Sequence, residues 1–244
     1  MLEREIRRGI PAWIWLGLPL VVVPFQLLSM WLSEDFYRQW VRGERGIVEN
    51  LTTLFLVIAC IAAVRMWHAR EKAGSRLFGP FVLVMALGCF FFAGEEASWG
   101  QHWIGFEPPE SVAARNDQGE FNLHNDPFFE KFLDQLPRTL LTLAALIGGV
   151  LAPLFWRRPE VRSEPRSSRV GDWIWPTGVC LPAALLAVSV TWPKKLFNLT
   201  QDGLPPALHI SAGETKEFAL GLFLMLYLLS LHAALRAGEE RSPR

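Results

Sequence analysis

Long uninterrupted apolar runs alternate along the chain with shorter stretches crowded with charge. The apolar positions are clustered and are not spaced at i, i+3, i+4, so they describe segments that are apolar on every face. Six runs reach the roughly 20 residues a helix needs to cross a hydrocarbon core about 30 Å thick. They cover about 12–32, 47–67, 78–98, 138–156, 173–192 and 213–235. A backbone in lipid must satisfy its own hydrogen bonds, and nothing here alternates with the period of two of a barrel strand. The pattern predicts an all-α fold: a polytopic membrane helix bundle of six transmembrane helices, one integral membrane domain over 1–244. A long loop at 100–137 separates the third and fourth runs. A Pro-, Ser- and Arg-rich stretch at 157–172 reads as a flexible linker.

Composition agrees, with 51% hydrophobic residues and a mean hydropathy of +0.22. The first run follows MLEREIRRGIP without a small-residue cleavage site, so it is expected to be a retained span. Zero net charge hides an asymmetry. One set of connections, with both termini, carries 15 of the 24 Lys and Arg, while the other carries 16 of the 24 acids. The basic side is cytoplasmic by the positive-inside rule. Both termini and the 157–172 linker are then expected inside, and the 100–137 loop in the periplasm. Ten of the eleven Trp lie near span ends, where amphipathic rings sit at headgroup depth. Cys60, Cys89 and Cys180 are isolated within spans and offer neither metal spacing nor a disulfide framework. The basic residues are spread over the cytoplasmic edges, which gives nucleic-acid binding no support.

The chemistry concentrates at the end of the third run, in GEEASWGQHW. Glu95 and Glu96 fall near a helix C-terminus, where the dipole, burial and each other's charge all oppose ionisation. An intramembrane acid costs about 2.5–3.5 kcal/mol on insertion scales and marks a functional hypothesis. If the helix continues, Glu95, Trp99 and His102 share one stripe at i, i+4 and i+7. The loop adds NDQGEFNLHN, in which Glu120, Asn122 and His124 fall on one side of an extended segment. Its later part, FFEKFLDQL, reads as a short amphipathic helix lying on the membrane. Glu49, Glu214 and Glu217 begin the second and sixth spans, where the dipole favours them.

These residues compose a candidate site. Glu95, Glu96, Glu120 and His124 are its candidate catalytic groups. Trp99, Gln101, Trp103, Asn116, Gln118, Asn122, Asn125, Glu49 and Glu217 are candidate substrate-binding groups. His102, His124 and Glu95 are candidate ligands for a divalent metal ion, because carboxylate plus imidazole suits Zn²⁺, Fe²⁺ or Mn²⁺. The same groups suit metal-free acid–base work. Three readings follow: a membrane hydrolase or transferase acting on a lipid or lipid-linked substrate, a proton- or cation-coupled transporter, and a non-catalytic assembly or sensor subunit that docks a protein partner. Polar residues thin out in the inner halves of the spans, which counts against the transporter.

The strings GEEASWGQ and NDQGEFNLHN resemble those of a family of uncharacterised bacterial polytopic membrane proteins, with GEExSWGQ followed by an NxQxExNLHN-type loop. The resemblance rests on Gly94, Glu95, Glu96, Ser98, Trp99, Gly100, Gln101, Asn116, Gln118, Glu120, Asn122, Leu123, His124 and Asn125. It implies a multi-pass protein of the bacterial inner (plasma) membrane and that the two strings belong together. It implies no activity. The EExxxR of CAAX-type intramembrane endopeptidases is matched only at its start, since Gly100 stands at the Arg position and Glu120 where a Phe precedes the His.

Overall fold

The computed structural model describes residues 6, 9–43, 46–115, 121–123, 128–155, 170–200, 205 and 208–240. Among these residues there is no strand, and six helices are long and apolar enough to cross a membrane. They are α1 (Trp13–Leu32), α2 (Ile47–His68), α3 (Phe78–Glu96), α4 (Lys131–Phe155), α5 (Gly178–Leu199) and α6 (Ala212–Ala237). The all-α bundle expected from the apolar runs is the fold.

Helix α6 is the axis of the bundle. About 83% of its most apolar window is buried, against 22–44% for the other five. Its sequence, FALGLFLMLYLLSL, is apolar all round and so can be covered on every side. It packs on α2 and α5; α2 also packs on α3, and α5 on α4. Phe55 of α2 meets Phe218 of α6 edge to face at 5.2 Å. The outer helices keep wide apolar faces, among them Leu20, Trp31, Leu54, Val84 and Leu87, where lipid is the natural solvent.

Three spans differ from the expected limits. Helix α3 ends at Glu96 and not at residue 98, because Ala97 leaves helical geometry at φ −89°, ψ 7°. Helix α4 begins at Lys131, seven residues before the expected start. The segment read as lying flat on the membrane is instead continuous with α4 from Lys131, through a wide π-type turn at Lys131–Gln135. Pro137 does not stop it, because proline close behind such a turn removes an N–H that the wider ring leaves without a regular partner. Helix α5 begins at Gly178 and runs on to Leu199, since Trp173 to Pro176 form a turn packed on Phe78 and Phe81. The connection between α1 and α2 is helical over Glu34–Phe36 and Tyr37–Val41. Most of the linker, residues 157–169, lies outside the described residues.

Candidate functional site

The two acids at the end of α3 face different neighbours, because successive residues on a helix are turned by about 100°. Glu95 is 2% exposed. Its Oε1 accepts from the Trp99 indole Nε1–H at 2.7 Å, and its Oε2 accepts from the Leu123 backbone N–H at 2.8 Å. Two bonds more tie the same strip of loop to the same turn. Gln101 Oε1 accepts from the Phe121 N–H at 2.6 Å, and the Asn122 amide donates to Ser98 Oγ at 3.3 Å. The loop is latched onto the helix end at three consecutive residues.

The turn that makes the latch is strained. Ser98 and Trp99 have φ of 42° and 51°, and Gly100 follows at 86°. Each left-handed L-residue costs about 1–2 kcal/mol, while the glycine carries its positive φ freely. The expected stripe of Glu95, Trp99 and His102 on one continued helix is therefore replaced by a reversal. Trp99 folds back over Gly94, where a Cβ would stand 2.8 Å from the indole. It also meets Phe90 and Phe91 edge to face at 5.9 and 6.2 Å. The indole is thereby aimed at Glu95.

Glu96 turns the other way, into a small cavity between α2, α3, α4 and α6. The cavity encloses about 50 Å³, and its polar wall is Glu96, Asp134, Arg138, Glu217 and Thr52. Arg138 pairs with Glu217 at 2.5 Å and with Asp134 one turn before it. Glu49 is near enough to add its charge to that of Glu217 and Asp134 on the Glu96 carboxylate, with Arg138 opposing them. The remaining wall is apolar, built by Leu56, Phe92, Leu141, Leu220 and Leu224. A space of this size admits one to a few waters or one small group.

A third polar group holds the start of α6. Gln26 donates to Thr215 Oγ1 at 2.8 Å, Tyr37 Oη donates to Gln26 Oε1 at 3.3 Å, and the Ser211 N–H donates to Tyr37 Oη at 2.8 Å. Glu214 accepts from the Gly43 N–H and lies 3.7 Å from Arg42. Burial pushes the Tyr37 phenol above its ordinary range; the Ser211 N–H opposes this, Glu214 adds to it and Arg42 opposes it. The clamp fixes the helix that carries Glu217.

Of the candidate residues, Glu96 and Glu217 meet in the cavity wall, with Glu49 near enough to act on Glu96 by its charge. Glu95, Trp99, Gln101 and Asn122 come together in the latch. Trp103 lies 65% exposed on the short helix Gln101–Ile104, apart from both. Asn116, Gln118, Glu120, His124 and Asn125 lie outside the described residues, as does the His102 side chain. Among the described residues no group of three or more His, Cys, Asp or Glu is arranged to hold a metal ion. Sequence reasoning gave no role to Asp134 and Arg138. Their signal was there: an ion-pair spacing of i, i+4 at the mouth of a leucine-rich span.

The chain matches no family model, no curated protein and no solved structure. Its chemistry is read from its own side chains.

Proposed function

We propose that the protein is a multi-pass enzyme of the bacterial inner membrane, with the Glu96 cavity as its reaction site and a lipid or lipid-linked molecule as its substrate. The observation that carries this reading is the wall of the cavity. Glu96, Asp134, Arg138 and Glu217 come from three spans and meet beside five large apolar side chains. Charge gathered inside a membrane is costly and is kept where it works. The space of about 50 Å³ is far below the roughly 300 Å³ of an ordinary ligand pocket. Only the reacting group of a substrate fits, its bulk staying in the lipid.

Charge narrows what that group is. Arg138 is already engaged by two carboxylates, so it offers little to a phosphate. The acids outnumber the cation, which favours a hydrogen-bond donor: water, a hydroxyl or an amine. Glu96 then takes the proton of that group as general base. Arg138 and Glu217 position it, and Glu95, bound on both oxygens, positions the loop. The apolar inner wall of the cavity supports an enzyme over a transporter, because an ion path calls for polar lining beyond the site. With the basic connections inside, the site faces the periplasmic leaflet.

The test is reconstitution into vesicles of bacterial total lipid extract, followed by mass spectrometry of the lipids. A new lipid species is expected with the wild type and is lost at least 100-fold in Glu96→Gln, with the melting temperature confirming that the variant folds. Identical lipid profiles for two folded proteins would sink the proposal.

A further inference from the structure

A second cavity lies at the opposite end of the bundle, between the end of α2 and the start of α3. It measures about 350 Å³ and is walled by Trp67, Arg70, Glu71, Ser75, Arg76 and Gly79, among others. This is within the range of pockets that hold a small ligand. Arg70 is held in place: its guanidinium lies 4.3 Å from the Trp67 ring centroid, and its Nη1 donates to the Trp67 carbonyl at 3.0 Å. The stack seats against α3 because residue 79 is glycine. A Cβ there would stand 3.2 Å from Arg70 Cδ and 3.6 Å from the Trp67 ring.

The electrostatics favour an anion. Two guanidinium groups face one carboxylate, Glu71. The positive end of the α3 dipole opens at the same place, with no acid in its first turn. Ser75 is 93% buried by its relative exposure of 7%, and its Oγ accepts from the Leu77 N–H at 3.4 Å. Among the described residues its hydroxyl proton donates to nothing.

A membrane offers such a site one abundant kind of anion that a free phosphate does not match. Leu77, Pro80, Val84 and Leu87 are exposed at i, i+3, i+7 and i+10. That spacing draws one apolar stripe along α3 from the cavity into the bilayer. A phosphodiester at Arg70 and Arg76 would lay its acyl chain on this stripe. Trp67 sits at the depth where indoles meet headgroups. Basic pockets between transmembrane helices are known places for anionic headgroups.

We propose that this cavity binds the headgroup of one anionic phospholipid. The inference does not depend on the reaction assigned to the Glu96 cavity. Native mass spectrometry of the detergent-solubilised protein tests it, with phosphatidylglycerol and phosphatidylethanolamine of identical acyl chains as probes. The wild type is expected to retain one phosphatidylglycerol at least fivefold more tightly than phosphatidylethanolamine. Arg70→Gln with Arg76→Gln should bring that preference below twofold, while Arg38→Gln with Lys194→Gln, at the other end of the bundle, should leave it intact. Gly79→Ala, which keeps every charge but pushes on Arg70, should lower it in part and serves if the double variant does not fold. The proposal is overturned by a wild type without headgroup preference, by a preference that survives loss of both arginines or is untouched in Gly79→Ala when that variant stands in, or by free glycerol phosphate displacing the lipid at equal concentration.

Discussion

At the end of α3 two neighbourhoods lie back to back. On one side the Glu95 carboxylate is closed off by an indole and a loop N–H, and the turn beside it is bent through two left-handed L-residues. On the other side Glu96 faces a cavity where three further charged side chains meet. The first region spends its polar atoms on holding a shape. The second keeps its polar atoms around a space. One residue of offset, about 100° on a helix, separates a carboxylate closed by two hydrogen bonds from one that lines a cavity. An acidic pair in a membrane is therefore not automatically a pair in function.

The largest effect that bears on this contrast is expected in the cavity. Arg138→Ala removes the cation that Asp134 and Glu217 share and leaves part-buried carboxylates facing one another. The loss should be about 2–4 kcal/mol, the lower half of the range reflecting partial exposure of the pair. A melting temperature that falls steeply in Arg138→Ala and recovers only in part in Arg138→Lys, which lacks the planar fork, would bear this out. A variant as stable as the wild type would show that the ion pairs are not formed.

On the latch side, Glu95→Gln keeps the shape but turns one acceptor into a donor, against either the indole N–H or the Leu123 N–H. The expected cost is about 1–3 kcal/mol. Hydrogen exchange at the Leu123 amide is the specific readout and should speed up more than exchange in the body of α6. Equal exchange in the two proteins would detach the loop from Glu95.

The separation of the regions can itself be measured. The bonds of Glu95 run to Trp99 and Leu123 and the ion pair of Glu217 runs to Arg138, so the effects of Glu95→Gln and Glu217→Gln on stability should add within about 0.5 kcal/mol. A larger coupling energy would merge latch and cavity into a single site.

Tyr37→Phe removes the donor to Gln26 and the acceptor of the Ser211 N–H, at about 1 kcal/mol for each lost bond. The sign of its pH dependence follows from the raised phenol. The folded state keeps the proton beyond pH 10, where an unfolded tyrosine begins to lose it. The contribution is complete below about pH 10 and declines as pH rises past it. Denaturation midpoints of wild type and variant should therefore draw together above pH 10. Arg38→Ala should give the smallest effect, under about 0.5 kcal/mol, because the Arg38–Glu34 pair is exposed on both sides.

Which parts of this were legible in the chain follows from how far the deciding forces reach. Hydrophobic clustering is a property of a run of residues, so six spans could be counted, and all their ends but the start of α4 and the two ends of α5 placed within two positions. Glu95 and Glu96 could be picked out because a carboxylate in an apolar run is costly whatever surrounds it. Their division of labour could not, because it depends on Ala97 leaving the helix and on Trp99 folding back over Gly94. The pairing of Arg138 with Asp134 was legible as an i, i+4 spacing, but its pairing with Glu217, 79 positions away in sequence, was not. The early start of α4 was missed because the π-type turn before Pro137 has no signature in hydropathy.

By itself, the sequence determined the class of the molecule, since transfer of apolar side chains and of the backbone into lipid depends on composition over some twenty residues at a time. Tertiary structure alone decided which carboxylate is closed off by the loop and which lines the cavity. That choice is made by hydrogen bonds and ion pairs only about 3 Å long, between residues brought together by the packing of α2, α3, α4 and α6.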